Sequence, residues 1–156
     1  MKTLLLIIHA PSLNTMILSD AALHAAQSIA NDGADNLKIL RKTPTEVMAE
    51  DLQTVDCVLL GTLENIGAMA GLTKDMFDRC YNDWLGRHEA LPVGIYIRAG
   101  LDGTATSRQL SAIASAQKWR LVQPPLILKG TYDPAFEEQV SELAMIMASG
   151  LDMGLF

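Results

Sequence analysis

Five short apolar runs, each separated from the next by residues at helical spacing, constrain this chain more than any other feature. Residues 4–8 are continuously apolar, as a strand buried on both faces requires. From about residue 15 to 31, Ala21, Ala22, Ala25, Ala26 and Ile29 recur at helical spacing, and Asp32-Gly33 stops the pattern. Residues 37–40 predict a short second strand, Thr43-Pro44-Thr45 opens a short helix reaching to about 52, and residues 55–60 predict a third strand. Next comes the clearest helix of the chain: Met69, Leu72, Thr73, Met76, Phe77, Cys80, Tyr81 and Trp84 keep the i, i+3, i+4, i+7 rule, with Lys74, Asp75, Asp78 and Arg79 opposite. Its Met and aromatic stripe is read as core facing a sheet, because the period alone accounts for it. Residues 92–97 form a fourth strand, 105–118 a helix with Leu110, Ile113 and Ala114 inward, and 126–129 a fifth strand after Pro124-Pro125. Asp133-Pro134, a cap followed by proline, opens a closing helix that presents Phe136, Val140, Leu143, Ala144 and Met147. Strands alternating with helices predict a parallel α/β sheet with helices on both faces, in one domain spanning residues 1–156.

Charge and cysteine content narrow the function. A net charge of −6, with Arg41-Lys42 as the nearest thing to a basic cluster, argues against nucleic acid, because phosphate binding draws on clustered Lys and Arg. The two cysteines, Cys57 in an apolar run and Cys80 on the helical stripe, are expected to be buried thiols in a reducing cytoplasm. The apolar start has one lysine, a six-residue apolar run and no small-residue cleavage site, which reads as a first strand and not as a leader. No apolar run approaches a membrane span. His24 and His88 are too scattered to suggest a metal set, and neither a nucleophile turn nor a Gly-x-Gly-x-x-Gly after the first strand is present.

Ligands of open α/β sheets bind beyond the carboxyl ends of the strands, which directs attention to three segments. The first is His9-Ala10-Pro11-Ser12-Leu13-Asn14-Thr15, where a helix N-terminus and the Ser12 and Thr15 hydroxyls offer donors to a phosphate. The second is Gly61-Thr62-Leu63-Glu64-Asn65-Ile66-Gly67, a polar, glycine-bearing loop after the third strand. The third is Arg98-Ala99-Gly100-Leu101-Asp102-Gly103-Thr104, whose glycines allow backbone to approach a flat ligand. Together these segments resemble the flavodoxin-like family of FMN proteins: the first is similar to its phosphate loop, and the second to its Gly-Thr-Pro-type loop. Leu13 departs from the family, which often has Gly there, and no aromatic residue lies in the three loops.

The resemblance implies a three-layer sandwich with a five-stranded parallel sheet of order 2-1-3-4-5, its ligand site between the first and third strands. It implies FMN as cofactor, bound by His9, Pro11, Ser12, Leu13, Asn14 and Thr15 in the first loop. Thr62, Leu63, Glu64, Asn65, Ile66 and Gly67 follow in the second, and Ala99, Gly100, Leu101 and Gly103 in the third. Backbone groups of the second loop would meet the pyrimidine and N5 edge of the flavin, with Ile66 where some relatives place a stacking aromatic. Glu64 reads as a solvated loop carboxylate or a proton donor, and His9 as a hydrogen-bonded structural histidine, a phosphate contact or a base. The activity implied is a small oxidoreductase that takes NAD(P)H as electron donor and reduces a quinone-like or similar acceptor through flavin N5. Two alternatives stand beside it: an electron-transfer flavodoxin without its own substrate, and a flavin-free binding protein of the same fold. The resemblance also points to a cytoplasmic protein working with a small-molecule ligand or a redox partner, and to a homodimer. The apolar tail, residues 150–156, is expected to pack on its own domain or on a neighbour.

Overall fold

The computed structural model describes residues 1–33 and 36–156. Its centre is a parallel sheet in which β1 (Lys2–Ile8) lies between β2 (Leu37–Lys42) and β3 (Cys57–Asn65), with β5 (Pro92–Ala99) on the far side of β3. β4 (Ala68–Met69) is a short antiparallel return on the end of β3. Two short strands share the place beside β5. β6 (Arg120–Leu121) pairs with its first residues and β7 (Leu126–Lys129) with its last. The expected fifth strand is therefore present but divided, and the order 2-1-3-4-5 holds with seven strands among the described residues instead of five. Pro124 and Pro125 lie in the gap. Without N–H groups they cannot continue a ladder, so the chain pairs, detaches and pairs again.

Among the described residues, four helices cover the sheet: α1 (Leu13–Asn31) and α4 (Ala135–Met153) on one face, α2 (Gly71–Trp84) and α3 (Thr104–Ala116) on the other. Strand alternation divides the core accordingly. Leu4, Leu6, Ile8 and Leu59 pack with Leu18, Ala22, Val140 and Met147, while Leu5, Ile7, Val58 and Leu60 pack with Met76, Phe77, Trp84 and Leu110. The short helix expected before the third strand is instead two 3₁₀ turns, Pro44–Glu46 and Ala49–Thr54, which drop Val47 and Leu52 into the second core. They are fixed from outside: Arg79 donates to the Val47 and Pro44 carbonyls at 2.8 Å, and the Trp84 indole to the Ala49 carbonyl at 2.9 Å.

Both cysteines are buried free thiols, as composition suggested. Asp133 accepts the Ala135 N–H at the head of α4, in keeping with its reading as a cap. Phe156 folds back onto Gly150, and Lys2 donates to the Leu151 carbonyl, so the tail packs on its own chain. Among the described residues, no helix is long and apolar enough to cross a membrane.

Candidate functional site

The chain leaves β1 toward one face of the sheet, into α1, and leaves β3 and β5 toward the other, into α2 and α3. Connections that part in this way open a crevice above neighbouring strands, here at the carboxyl ends of β1 and β3. The three predicted loops stand around it.

His9 prolongs the ladder, its N–H donating to the Gly61 carbonyl at 2.9 Å. Partial burial lowers the pKa of its imidazole and favours the neutral ring. The chain then turns into α1 through Pro11 and Ser12, with Ser12 extended (φ −131°, ψ 166°) as the N-cap. Ser12 and Thr15 cap each other. The Ser12 N–H donates to Thr15 Oγ1 at 2.9 Å, the Thr15 N–H to Ser12 Oγ at 3.3 Å, and the Thr15 hydroxyl to the Ser12 carbonyl at 3.0 Å. Thr15 is buried by this arrangement. The hydroxyls expected to serve a phosphate are thus largely spent on the helix itself. What remains at the tip are the N–H groups of Leu13 and Asn14, in the first turn, where a helix has no carbonyl to receive them. Leu13 begins the helix without a positive φ, so this backbone does not call for a glycine there. Its side chain is 79% exposed.

The second segment is not a loop over most of its length. β3 continues to Asn65 and returns through a two-residue turn, Ile66-Gly67, with φ of 52° and 73°. Both values are positive, as a hairpin turn matched to strand twist demands. Gly67 accommodates this freely, whereas a β-branched residue rarely does. Ile66 stands at the tip, fully exposed. Alternation sends Thr62 and Glu64 to the α2/α3 side. Thr62 is wholly buried and shares a 2.7 Å hydrogen bond with the Thr73 hydroxyl of α2, so its side chain is withdrawn from the crevice. The Glu64 carboxylate accepts from the Gly103 and Thr106 N–H groups, both at 3.0 Å. It belongs to a strand, not a loop, and although partly exposed it is held as an acceptor of two N–H groups and is not placed as a proton donor. The Thr106 N–H, with smaller help from the Thr106 side chain and the Gly103 N–H, holds its pKa below the ordinary glutamate value against desolvation and the charge of Asp102. Leu63 and Asn65 lie on the opposite alternation, on the α1 side.

In the third segment Ala99 still belongs to β5 and is buried. Gly103 caps α3 at φ 76°, and a Cβ there would come within 2.6 Å of Ile127. Internal packing therefore accounts for this glycine. Gly100 is different: its φ is not positive and no protein atom stands where a Cβ would go. Leu101 beside it is 87% exposed.

Of the residues singled out from sequence, the structure brings His9, Pro11, Ser12, Leu13, Asn14, Ile66, Gly67, Gly100 and Leu101 to the surface at the same edge of the sheet. Thr15, Thr62, Glu64, Ala99 and Gly103 serve the framework beneath. Sequence reasoning did not find Tyr96, Thr106 or Gln109. The Tyr96 ring lies across Gly61 on the α1 side, and the Gln109 side chain accepts the Met69 N–H at 3.0 Å. These contacts join elements far apart in the chain and leave no local pattern to detect. A cavity of about 400 Å³ lies beyond the first loop, between α1 and the end of β2. Its cations pair with carboxylates, Arg41 with Asp20 and Lys42 with Asp51.

No protein-family model and no curated protein sequence matches the chain. Solved structures are similar in architecture. A flavodoxin from the domain Archaea superposes with a TM-score of 0.75 over 97% of this chain and 99% of its own, at 12% identity. The fold is that of the flavodoxins. A WrbA-like flavodoxin from Agrobacterium tumefaciens shares the flavodoxin fold at a TM-score of 0.73 and 12% identity, covering 97% of this chain and 98% of its own. The rubredoxin oxygen:oxidoreductase of Desulfovibrio gigas contains it too, at a TM-score of 0.75 and 10% identity over 98% of this chain. This chain spans 37% of that larger protein.

An FMN phosphate would meet, in this flavodoxin fold, the Leu13 and Asn14 N–H groups and the positive end of the α1 dipole. The crevice also offers Gly100, which no internal contact explains, and two exposed apolar side chains, Ile66 and Leu101. These features fit a phosphate joined to a flat apolar ring, with backbone amides rather than hydroxyls as donors.

Proposed function

We propose that the chain binds FMN at the carboxyl edge of the sheet and acts as an oxidoreductase. The observation that carries this reading is topological: the open α1 N-terminus, the Ile66-Gly67 turn and the Gly100-Leu101 segment follow the carboxyl ends of the adjacent strands β1, β3 and β5 of a flavodoxin fold. When bound, the flavin supplies hydride or electron transfer through N5.

The residues of the chain do the rest. Leu13 and Asn14 N–H groups hold the phosphate, and the α1 dipole offsets its charge without a lysine or arginine. Polar backbone of the hairpin end meets the pyrimidine edge of the ring. Ile66 and Leu101 provide apolar contact and keep water from part of the ring. Neither is aromatic, so the ring is stacked less than between two aromatic planes, and a face stays open to a reacting partner. That openness favours NAD(P)H-dependent reduction of a quinone-like or similar acceptor over service as an electron carrier alone.

The test is a parallel titration with FMN and riboflavin, followed by flavin fluorescence and melting temperature. Leu13→Pro provides the diagnostic variant. Proline suits the first helical position, and the extended Ser12 before it is already in the conformation that proline requires. The variant therefore removes one N–H donor without breaking α1. We expect FMN affinity to fall about tenfold, one charge-assisted hydrogen bond's worth, while riboflavin binding stays the same. An unchanged FMN affinity rejects the phosphate site, and failure of FMN to bind the parent chain rejects the flavin reading in favour of a flavin-free protein of the same fold. Turnover of NAD(P)H by the FMN complex then separates reductase from carrier.

A further inference from the structure

Glu64 occupies a place that its neighbourhood in sequence does not suggest. It stands at the end of β3, yet its carboxylate fills the N-terminus of α3, accepting from Gly103 and Thr106 across separations of 39 and 42 residues. The reason lies in Gly103. Its φ of 76° and the pressure of Ile127 and Ala99 at its Cβ position require glycine, and glycine has no side chain with which to cap its own helix. Glu64 supplies the missing acceptor, with negative charge at the positive end of the helix dipole.

The partner of Glu64 in the hairpin register is Met69, and the Met69 N–H is bound in turn by Gln109 of α3 at 3.0 Å. Both strands of the hairpin are thus fastened to one helix at the same level. Ile66 rises just beyond these ties in a conformation that β-branched residues resist. On the other side, Gly103 closes the segment that carries Leu101. Glu64 therefore links the two apolar prominences of the crevice through a single carboxylate.

We propose that Glu64 is a positioning residue: it locks the Ile66 hairpin to the Leu101 segment and so sets the spacing of the two walls before a flavin arrives. This rests on the reading of the crevice as a flavin site. A preset spacing spares the ligand the cost of ordering two loops, which is the physical basis of preorganisation.

The proposal separates from its foundation in a two-part experiment on the whole chain with Glu64→Gln, Glu64→Asp and Gln109→Ala. The first part needs no flavin and measures amide hydrogen exchange. In Glu64→Gln, exchange should quicken at Gly103 and Thr106 and also at Met69 and Ala70 of the hairpin, whose N–H groups are bound by Gln109 and by the Leu63 carbonyl, with β1 and α4 unchanged. Faster exchange at Gly103 and Thr106 alone would reduce Glu64 to a helix cap and overturn the proposal. The second part titrates FMN and records the visible circular dichroism of the bound flavin. Glu64→Gln should bind about tenfold more weakly, within the usual range of coupling between sites. Its altered dichroic spectrum should be partly restored in Glu64→Asp. Equal affinity and an identical spectrum in parent and Glu64→Gln overturn the positioning role. If the parent chain binds no FMN, the flavin reading falls while the exchange pattern still decides whether the walls are coupled. Gln109→Ala, which cuts the second tie and leaves the carboxylate alone, should loosen the hairpin amides without quickening Gly103 and Thr106; should Glu64→Gln fail to fold, the exchange pattern of Glu64→Asp, which shortens the link, decides the same question.

Discussion

Gly61 shows how one residue can look functional in sequence and be structural in space. It was legible as part of a Gly-Thr loop like that of FMN proteins. In the structure it lies within β3, and a Cβ there would fall 2.3 Å from the Tyr96 ring, with the phenol oxygen at 2.5 Å. The buried Tyr96 ring uses the space that a side chain would take. Gly61→Ala should lower stability by about 1–3 kcal/mol, the usual cost of overfilling a packed site. Tyr96→Leu, which withdraws the ring, should make that substitution cheaper, so that thermal melts of the two single variants and the double variant are non-additive. Cys57 illustrates the opposite case, a reactive residue type made inert by its place. Burial pushes its thiol up to about 12, so the thiolate is scarce at neutral pH. Neither it nor the buried Cys80 should react with a thiol reagent until the chain unfolds; rapid labelling of the native protein would contradict that burial.

Elements were legible where a local pattern decided them, and less so where a distant contact did. Of the α2 stripe that the period marks as core, Thr73, Met76, Phe77, Cys80 and Trp84 are buried and Tyr81 is half-buried, whereas Leu72 in the first turn is exposed. Met69, assigned to the same stripe, belongs to β4, because the hairpin consumes the residues before Gly71. The end of β3 was read as a loop for a related reason. Glu64 and Asn65 are polar, and only pairing with β4 and β5 makes them strand. The 3₁₀ turns before β3 are likewise held by Arg79 and Trp84, residues of another element. Strain at the hairpin tip yields a prediction at this scale. Ile66→Asn places Asn-Gly in a turn that prefers it, and should raise stability by about 1 kcal/mol through relief of the left-handed conformation. A calorimetric melt that moves downward would show that Ile66 contributes packing that its full exposure conceals.

Across the whole molecule, two cores on opposite faces of one sheet leave the carboxyl edge free for a ligand. No binding residue has to be taken from the packing that holds the fold. Framework and surface divide along this line: Thr15, Thr62 and Glu64 are committed inward, while Leu13, Ile66 and Leu101 face out. A ligand bound only by the native state must add to stability by mass action. FMN at a hundred times its dissociation constant should therefore stabilise the chain by about 2.7 kcal/mol. An unmoved melting temperature beside saturable fluorescence quenching would indicate a ligand that binds the unfolded chain equally well.

What the sequence by itself determined was the parallel α/β architecture and the edge at which to look. Apolar period and turn residues are local properties, and strands joined by helices have few ways to pack. Likeness to a known family then chose the strand order. Only the tertiary structure decided which loop residues face the crevice. Whether Ser12 and Thr15 offer hydroxyls to a ligand or to each other, and whether Glu64 meets water or the head of α3, depends on contacts between segments that the linear order keeps apart. Hydrogen-bonding capacity is written in the sequence, but its expenditure is settled by the neighbours that folding provides.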